Sequence, residues 1–164
     1  MSYYLKVLKD NPVGFWQLDE TSNTPTDAID SSGCENTGIY TGTFNKYFPL
    51  APGGQNSIEI NNNNNVEFVI SNSYYKQDVS NQFAVLQHPD KEFTLECWVN
   101  LKIEPSDITP ILADTDTNIG IFYENKNIIF KLDQESLEYT LPFINKNIHV
   151  TCVYSVNTAS IYID

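Results

Sequence analysis

The sequence predicts an all-β fold: an antiparallel sandwich of short strands with one short helix at its N-terminus. Three observations carry this. Apolar and polar residues alternate, as they do along a strand with one buried face. The apolar positions are rich in β-branched and aromatic residues. Asn, Asp, Gly and Pro interrupt the pattern at close intervals, which divides the chain into many short strands.

The first element is "SYYLKVLKDN", where Tyr4, Val7 and Leu8 recur at helical spacing. Pro12 stops this helix, because a proline pushes the residue before it out of the α region. "VGFWQLD", residues 13–19, reads as an opening strand, with Phe15 and Gln17 on one face and Trp16 and Leu18 on the other. Asp19 and Glu20 lie where that strand ends, so they read as a charged terminus and not as a catalytic pair; Trp16 is expected in the core. Short strands follow at 36–44, 57–60 and 65–70, and the Asn run 61–65 suits a loop tip.

"FTLECWVNL", 93–101, is the clearest strand and is expected to be central. Phe93, Leu95, Cys97 and Val99 point to a core between sheets, while Thr94, Glu96, Trp98 and Asn100 point the other way. A strand at 108–113 precedes "IGIFYENKNIIFKL", a hairpin turning through Glu124 to Asn127. Another strand fits 137–141. "HVTCVYSVNTASIYI" closes the series as a second hairpin, turning at Asn157 and Thr158.

A chain of 164 residues suffices for one domain, which buries roughly 70% of the surface exposed on unfolding. Its 21 acidic residues against 9 basic ones give a net charge of -12. That balance opposes nucleic-acid binding, which depends on cations that release phosphate counterions, and it disfavours anionic membrane surfaces. No apolar run approaches the length of a bilayer span, so no membrane insertion is expected. "MSYYLKVLKD" lacks the apolar core and cleavage site of a secretory signal, so synthesis in a cytoplasm without export by that route is expected. The three cysteines, Cys34, Cys97 and Cys152, have no metal-site spacing. Cys97 and Cys152 sit in apolar runs and read as small buried hydrophobes. A disulfide between them would need an oxidising compartment.

Several stretches, in this order, resemble the laminin-G-like domains of the concanavalin A-like lectin and glucanase superfamily, above all those of bacterial and phage surface proteins. "VLKDNPVGFWQLDE" resembles the opening helix and strand, and "DAIDSSGCENTGIYTG" the Asp-Ser-Ser-Gly turn with its following strand. "APGGQNSIEINNNNNVEF" stands where a Gly-rich loop and hairpin occur, "FTLECWVNL" resembles the central strand, and "NIHVTCVYSVNTASIYID" the late hairpin. The resemblance implies a jelly-roll sandwich spanning 1–164 as a single domain. Two departures stand out. The segment 70–92 is longer than that junction usually is in the family, and the family normally continues beyond the position of Asp164. The domain is therefore expected to be completed by further chain or by a neighbouring subunit, since an open sandwich exposes strand edges.

The resemblance frames the candidate sites. Glycosidases of this fold hold two or three carboxylates on one strand face, flanking the scissile bond. The central strand offers Glu96 alone, and Asp133 and Glu135 lie where a strand gives way to a turn, so no catalytic residue is assigned. His88 and His149 lie far apart in the sequence, without a nucleophile motif. "DTDTN" starts like an EF-hand with Asp114, Asp116 and Asn118, but Ile119 and Asn125 replace the required Gly and Glu. A structural calcium held by Asp30, Asn36 and nearby carbonyls is what related domains suggest; the alternative is a turn stabilised by its own side-chain hydrogen bonds. For sugar binding, Trp98 with Glu96 and Asn100 supplies an aromatic face beside polar groups, unless Trp98 packs beneath a loop. Tyr74 and Tyr75 in the long segment offer the same chemistry or a subunit contact.

The expected function is non-enzymatic: a phage virion module of tail or fibre, attaching to glycan or protein on a host surface and built into an oligomeric assembly with other virion subunits. A purely structural virion module is the alternative, and a glucanase-type hydrolase the third reading.

Overall fold

The computed structural model describes residues 2–20, 27–42, 45–48, 57–59, 67–69, 92–114, 117–155 and 157–164. Among them are one helix and twelve short strands, and every strand pairing is antiparallel. No sheet closes into a barrel among the described strands. No described helix is long and apolar enough to cross a membrane. The chain divides into two compact units, 1–82 and 83–164.

In the first unit the helix forms where the spacing places it, as α1 (Tyr3–Lys9), with the Ser2 hydroxyl accepting from the Leu5 amide at 3.4 Å as N-cap. The chain leaves the helix through Asn11, whose φ of 51° lies in the left-handed region that Asn tolerates just ahead of Pro12. Strands β1 (Asp27–Ala28), β2 (Gly38–Thr41) and β5 (Glu67–Val69) form one small sheet, in the order β1-β2-β5. Strands β3 (Asn45–Phe48) and β4 (Ser57–Glu59) pair separately. Ala28 and Tyr40 are buried here.

The expected opening strand over 13–19 does not form. Trp16 makes a single isolated bridge to Asp30, and Leu18 takes a φ of 57°, which breaks the alternation. The reason lies in local hydrogen bonding. The Phe15 amide donates to the Asp30 carboxylate at 2.9 Å, so a side chain takes the place of a neighbouring strand. Trp16 is half-buried, with its Nε1–H donating to the Asn36 carbonyl at 2.9 Å. Its ring folds back over Gly14, and a Cβ there would run into it; this is why a glycine precedes "FW".

The second unit holds two sheets around one core. One has the order β10-β9-β8-β7, from β7 (Thr109–Asp114), β8 (Ile119–Glu124), β9 (Asn127–Leu132) and β10 (Glu135–Thr140). The other has the order β12-β11-β6, from β6 (Phe93–Asn100), β11 (Asn147–Ser155) and β12 (Thr158–Ile163). Ile121, Tyr123, Ile128 and Phe130 from the first sheet meet Ile148, Val150 and Cys152 from the second, together with Leu141. Phe93, Leu95, Cys97 and Val99 pack against this cluster, as their alternation predicts, and Phe93 meets Phe130 edge-on at 6.0 Å.

Two details differ from expectation. Among the described strands β11 holds the middle of its sheet and β6 one flank. The last hairpin also turns one residue earlier than expected, since Thr158 already pairs with Ser155 and Asn157, at φ 64°, carries the turn. The Glu124–Asn127 turn is as expected. Asn125 and Lys126 form its two-residue tip with φ values of 47° and 69°, the conformation that suits the right-handed twist of paired strands.

Candidate functional site

The outward face of the β12-β11-β6 sheet collects the polar and aromatic residues that strand parity excludes from the core. Register sets the rows. Glu96 lies opposite Thr151, which lies opposite Tyr162. Trp98 lies opposite His149, which exchanges backbone hydrogen bonds with Asp164 at 3.0 and 3.1 Å. Asn100 lies opposite Asn147. Strands ~4.8 Å apart and outward rows about 7 Å apart make a plate large enough for one or two pyranose rings.

The side chains on this plate are held in place. Trp98 stacks on His149 with ring centroids 4.8 Å apart and planes 24° from parallel. His149 Nε2 lies 3.8 Å from Glu96 Oε2, so the imidazole sits between the indole and the carboxylate. Asn100 Nδ2 donates to Asn147 Oδ1 at 2.8 Å. Trp98 remains 39% exposed and Tyr162 61%, so Trp98 is not sealed beneath a loop. A rigid aromatic with carboxylate and amide groups around it offers a surface for sugar C–H groups and partners for hydroxyls.

Behind the plate, Cys97 and Cys152 are free, as is Cys34. The strand register sets Cys97 opposite Val150 and Cys152 opposite Leu95, a diagonal relation on the inward face. Cys97 keeps part of its surface in solvent, but desolvation of its thiol, with smaller effects from Cys152 and Glu96, pushes it up to about 12. Burial likewise pushes the Cys152 thiol up to about 12.

The other sequence-selected residues lie elsewhere. Tyr74 and Tyr75 fall outside the described residues, as do His88 and Asp116. Asp30 is the organiser of its turn. Oδ1 accepts from the Phe15 and Ser32 amides, both at 2.9 Å, and Oδ2 from the Ser32 hydroxyl and the Asn36 amide, both at 2.8 Å. Asn36 is buried, with its Nδ2 donating to the Val13 carbonyl at 2.7 Å. N–H and O–H groups thus surround the carboxylate where a calcium site would place oxygens. Among the described residues no three His, Cys, Asp or Glu side chains are grouped to hold a metal ion.

Glu20 is similarly engaged. It accepts from the Ile29 amide at 2.8 Å and from the Tyr40 hydroxyl at 2.7 Å. Burial first, then that hydrogen bond and the Glu20 and Asp19 charges, raises the Tyr40 hydroxyl above the ordinary tyrosine range. Asp114 accepts from the Thr117 amide at 3.2 Å, and Asn118 Nδ2 donates to the Asp133 carbonyl at 3.3 Å, so both side chains serve protein hydrogen bonds. Asp133, at φ 60°, and Glu135 stand at the start of β10, on the other sheet from Glu96.

Sequence reasoning missed Asn147, His149, Tyr162 and Asp164 as members of the plate. The alternation of "NIHVTC" marks Asn147, His149 and Thr151 as sharing a face. Only the pairing of β11 with β6 shows that this is the face of Trp98. Comparison with protein-family models, with curated proteins and with solved structures finds no match in any of the three.

Proposed function

We propose that this chain is a laminin-G-like, jelly-roll adhesion module of a phage virion, part of a tail or fibre, that binds glycan on a host surface without chemical turnover. The observation that carries the binding part is the plate of Trp98, His149, Glu96, Asn100, Asn147 and Tyr162 on one exposed sheet face. The stacked Trp98 is pre-ordered, so little side-chain entropy is lost on contact with a sugar ring. The virion setting rests on the resemblance of the ordered sequence stretches, and the acidic balance supports protein or sugar partners over nucleic acid. What supports the non-enzymatic reading is that glycoside hydrolysis requires paired acids flanking the bond, and within β6 Glu96 is the one carboxylate.

The test is a glycan array followed by calorimetry on the full chain and on Trp98→Ala. Retention of a defined glycan, weakened at least about tenfold in Trp98→Ala, is the expected result. Absence of retention throughout the array would favour the structural virion module, and release of reducing ends that stops in Glu96→Gln would favour the hydrolase.

A further inference from the structure

The charge pattern of the plate narrows its ligand. All nine basic residues of the chain are lysines, and the strands β6, β11 and β12 contain none of them. The nearest lysines in the sequence, Lys91, Lys102 and Lys146, lie beyond the strand ends; Lys91 falls outside the described residues, and Lys146 Nζ sits over the Phe143 ring at 4.3 Å. Carboxylates are present along the whole face. Glu96 stands beside Trp98, Asp164 flanks His149, and Glu92 lies at the far end, accepting from the Ser155 hydroxyl at 2.6 Å. His149 is the one described outward side chain of these strands able to carry positive charge, and it already faces Glu96 at 3.8 Å.

Each class of sugar meets this pattern differently. A uronate, sialylated or sulfated sugar brings its charge against Glu96 and Asp164 with no lysine on the strands β6, β11 and β12 to receive it, and like charges brought together penalise the complex. A neutral sugar uses Trp98, the two asparagines and a hydroxyl hydrogen bond to Glu96. A protonated amine on the same ring adds a charge-assisted hydrogen bond to Glu96, and the net charge of -12 draws it in from solution. We infer that the plate takes a cationic amino sugar, its amine set against Glu96 and its apolar face on Trp98, in preference to neutral and anionic sugars. This rests on the glycan-binding reading above.

Three β-1,4-linked glucan oligosaccharides of equal length separate the inference from that reading: the neutral cello-oligosaccharide, the chitosan oligosaccharide with free amines, and the oligoglucuronate. Calorimetry on the full chain should give chitosan oligosaccharide about 3- to 10-fold tighter binding than the neutral one, with the uronate weakest. The advantage should shrink as salt rises. Glu96→Gln should bring amino and neutral sugars to within about twofold of each other, with amino-sugar binding weakened more than neutral binding because Gln still accepts from hydroxyls but carries no charge. Thr94→Lys adds a cation to the exposed face without touching Glu96, and should improve uronate binding relative to wild type. Equal or tighter binding of the uronate by wild type, or an amino-sugar advantage that survives Glu96→Gln, overturns the inference and leaves glycan binding standing. No binding of any of the three, with none on a broader array, overturns both.

Discussion

Asp30→Ala tests whether the Asp-Ser-Ser-Gly turn is held by its own hydrogen bonds. The substitution removes the acceptor for three backbone amides, those of Phe15, Ser32 and Asn36, and for the Ser32 hydroxyl. The turn is only part-buried, so water can reach some of the orphaned donors, and the lower end of the usual range applies. At about 1 kcal/mol for each amide the loss is about 3 kcal/mol. Asp30→Asn keeps the shape but turns one oxygen into an NH2 group facing donors, and should lose about half as much. Urea unfolding followed by Trp16 fluorescence in a Trp98→Phe background reads this directly, because Trp16 Nε1 is tied to the Asn36 carbonyl in the same turn. A loss under about 0.5 kcal/mol for Asp30→Ala would refute the reasoning. So would a wild-type midpoint that rises with added calcium and falls with chelator, since the carboxylate would then be reserved for a cation.

Other perturbations reach different layers of the structure. Phe130→Ala empties the centre of the second unit's core and should cost about 3 to 5 kcal/mol by denaturant unfolding. Lys126→Gly relieves a left-handed backbone at φ 69° and loses an exposed ion pair to Glu104 at 3.1 Å; a net gain of about 0.5 kcal/mol in the same assay is expected, because the backbone term is the larger. The thiols of Cys97 and Cys152 are raised to about 12, so the fold favours their neutral forms and the unfolded chain releases protons first. Their contribution is fully present below the ordinary thiol range and is lost as pH rises from about 9 towards 12, by up to about 1.4 kcal/mol per pH unit for each thiol. Urea unfolding between pH 8 and 11 should show that decline. It should be shallower in Cys152→Ala, with a remainder from Cys97 and from the Tyr40 and Tyr123 hydroxyls, which burial also raises.

What was legible in the sequence followed from parity and turn chemistry. The alternation in "FTLECWVNL" assigns inward and outward residues without any knowledge of partners, and the structure keeps that alternation from Phe93 to Val99, with Asn100 partly covered. The polar tip "ENKN" marks its hairpin because Asn tolerates the positive φ that such a turn requires. The opening segment misled for an equally physical reason. "FWQL" has strand composition, but Asp30 and Asn36, more than ten residues away, satisfy the groups of Val13, Phe15 and Trp16 through side-chain and carbonyl contacts. No local pattern in 13–19 reports that competition. The plate was legible by half for a related reason: Glu96, Trp98 and Asn100 share one strand, whereas His149, Asn147 and Tyr162 join them only through pairing register.

That register ties the plate to the core. The same pairing that sets Cys97 against Val150 and Leu95 against Cys152 in the interior sets Trp98 against His149 and Glu96 against Thr151 outside. A slip of one residue between β6 and β11 would break both sets at once, driving Glu96 and Trp98 inward and Leu95 and Cys97 into water. The buried face therefore fixes the geometry of the exposed one: burial of Val150, Cys152 and Ile148 gives the hydrophobic term that holds the register, and the stack of Trp98 on His149 inherits its precision from it. For that reason core and plate substitutions should separate cleanly. On the proposed glycan-binding reading, changes at Trp98 or Glu96 should alter what the face binds while the register stays, whereas a cavity at Val150 should loosen the strand pair and weaken every ligand alike, whatever its charge.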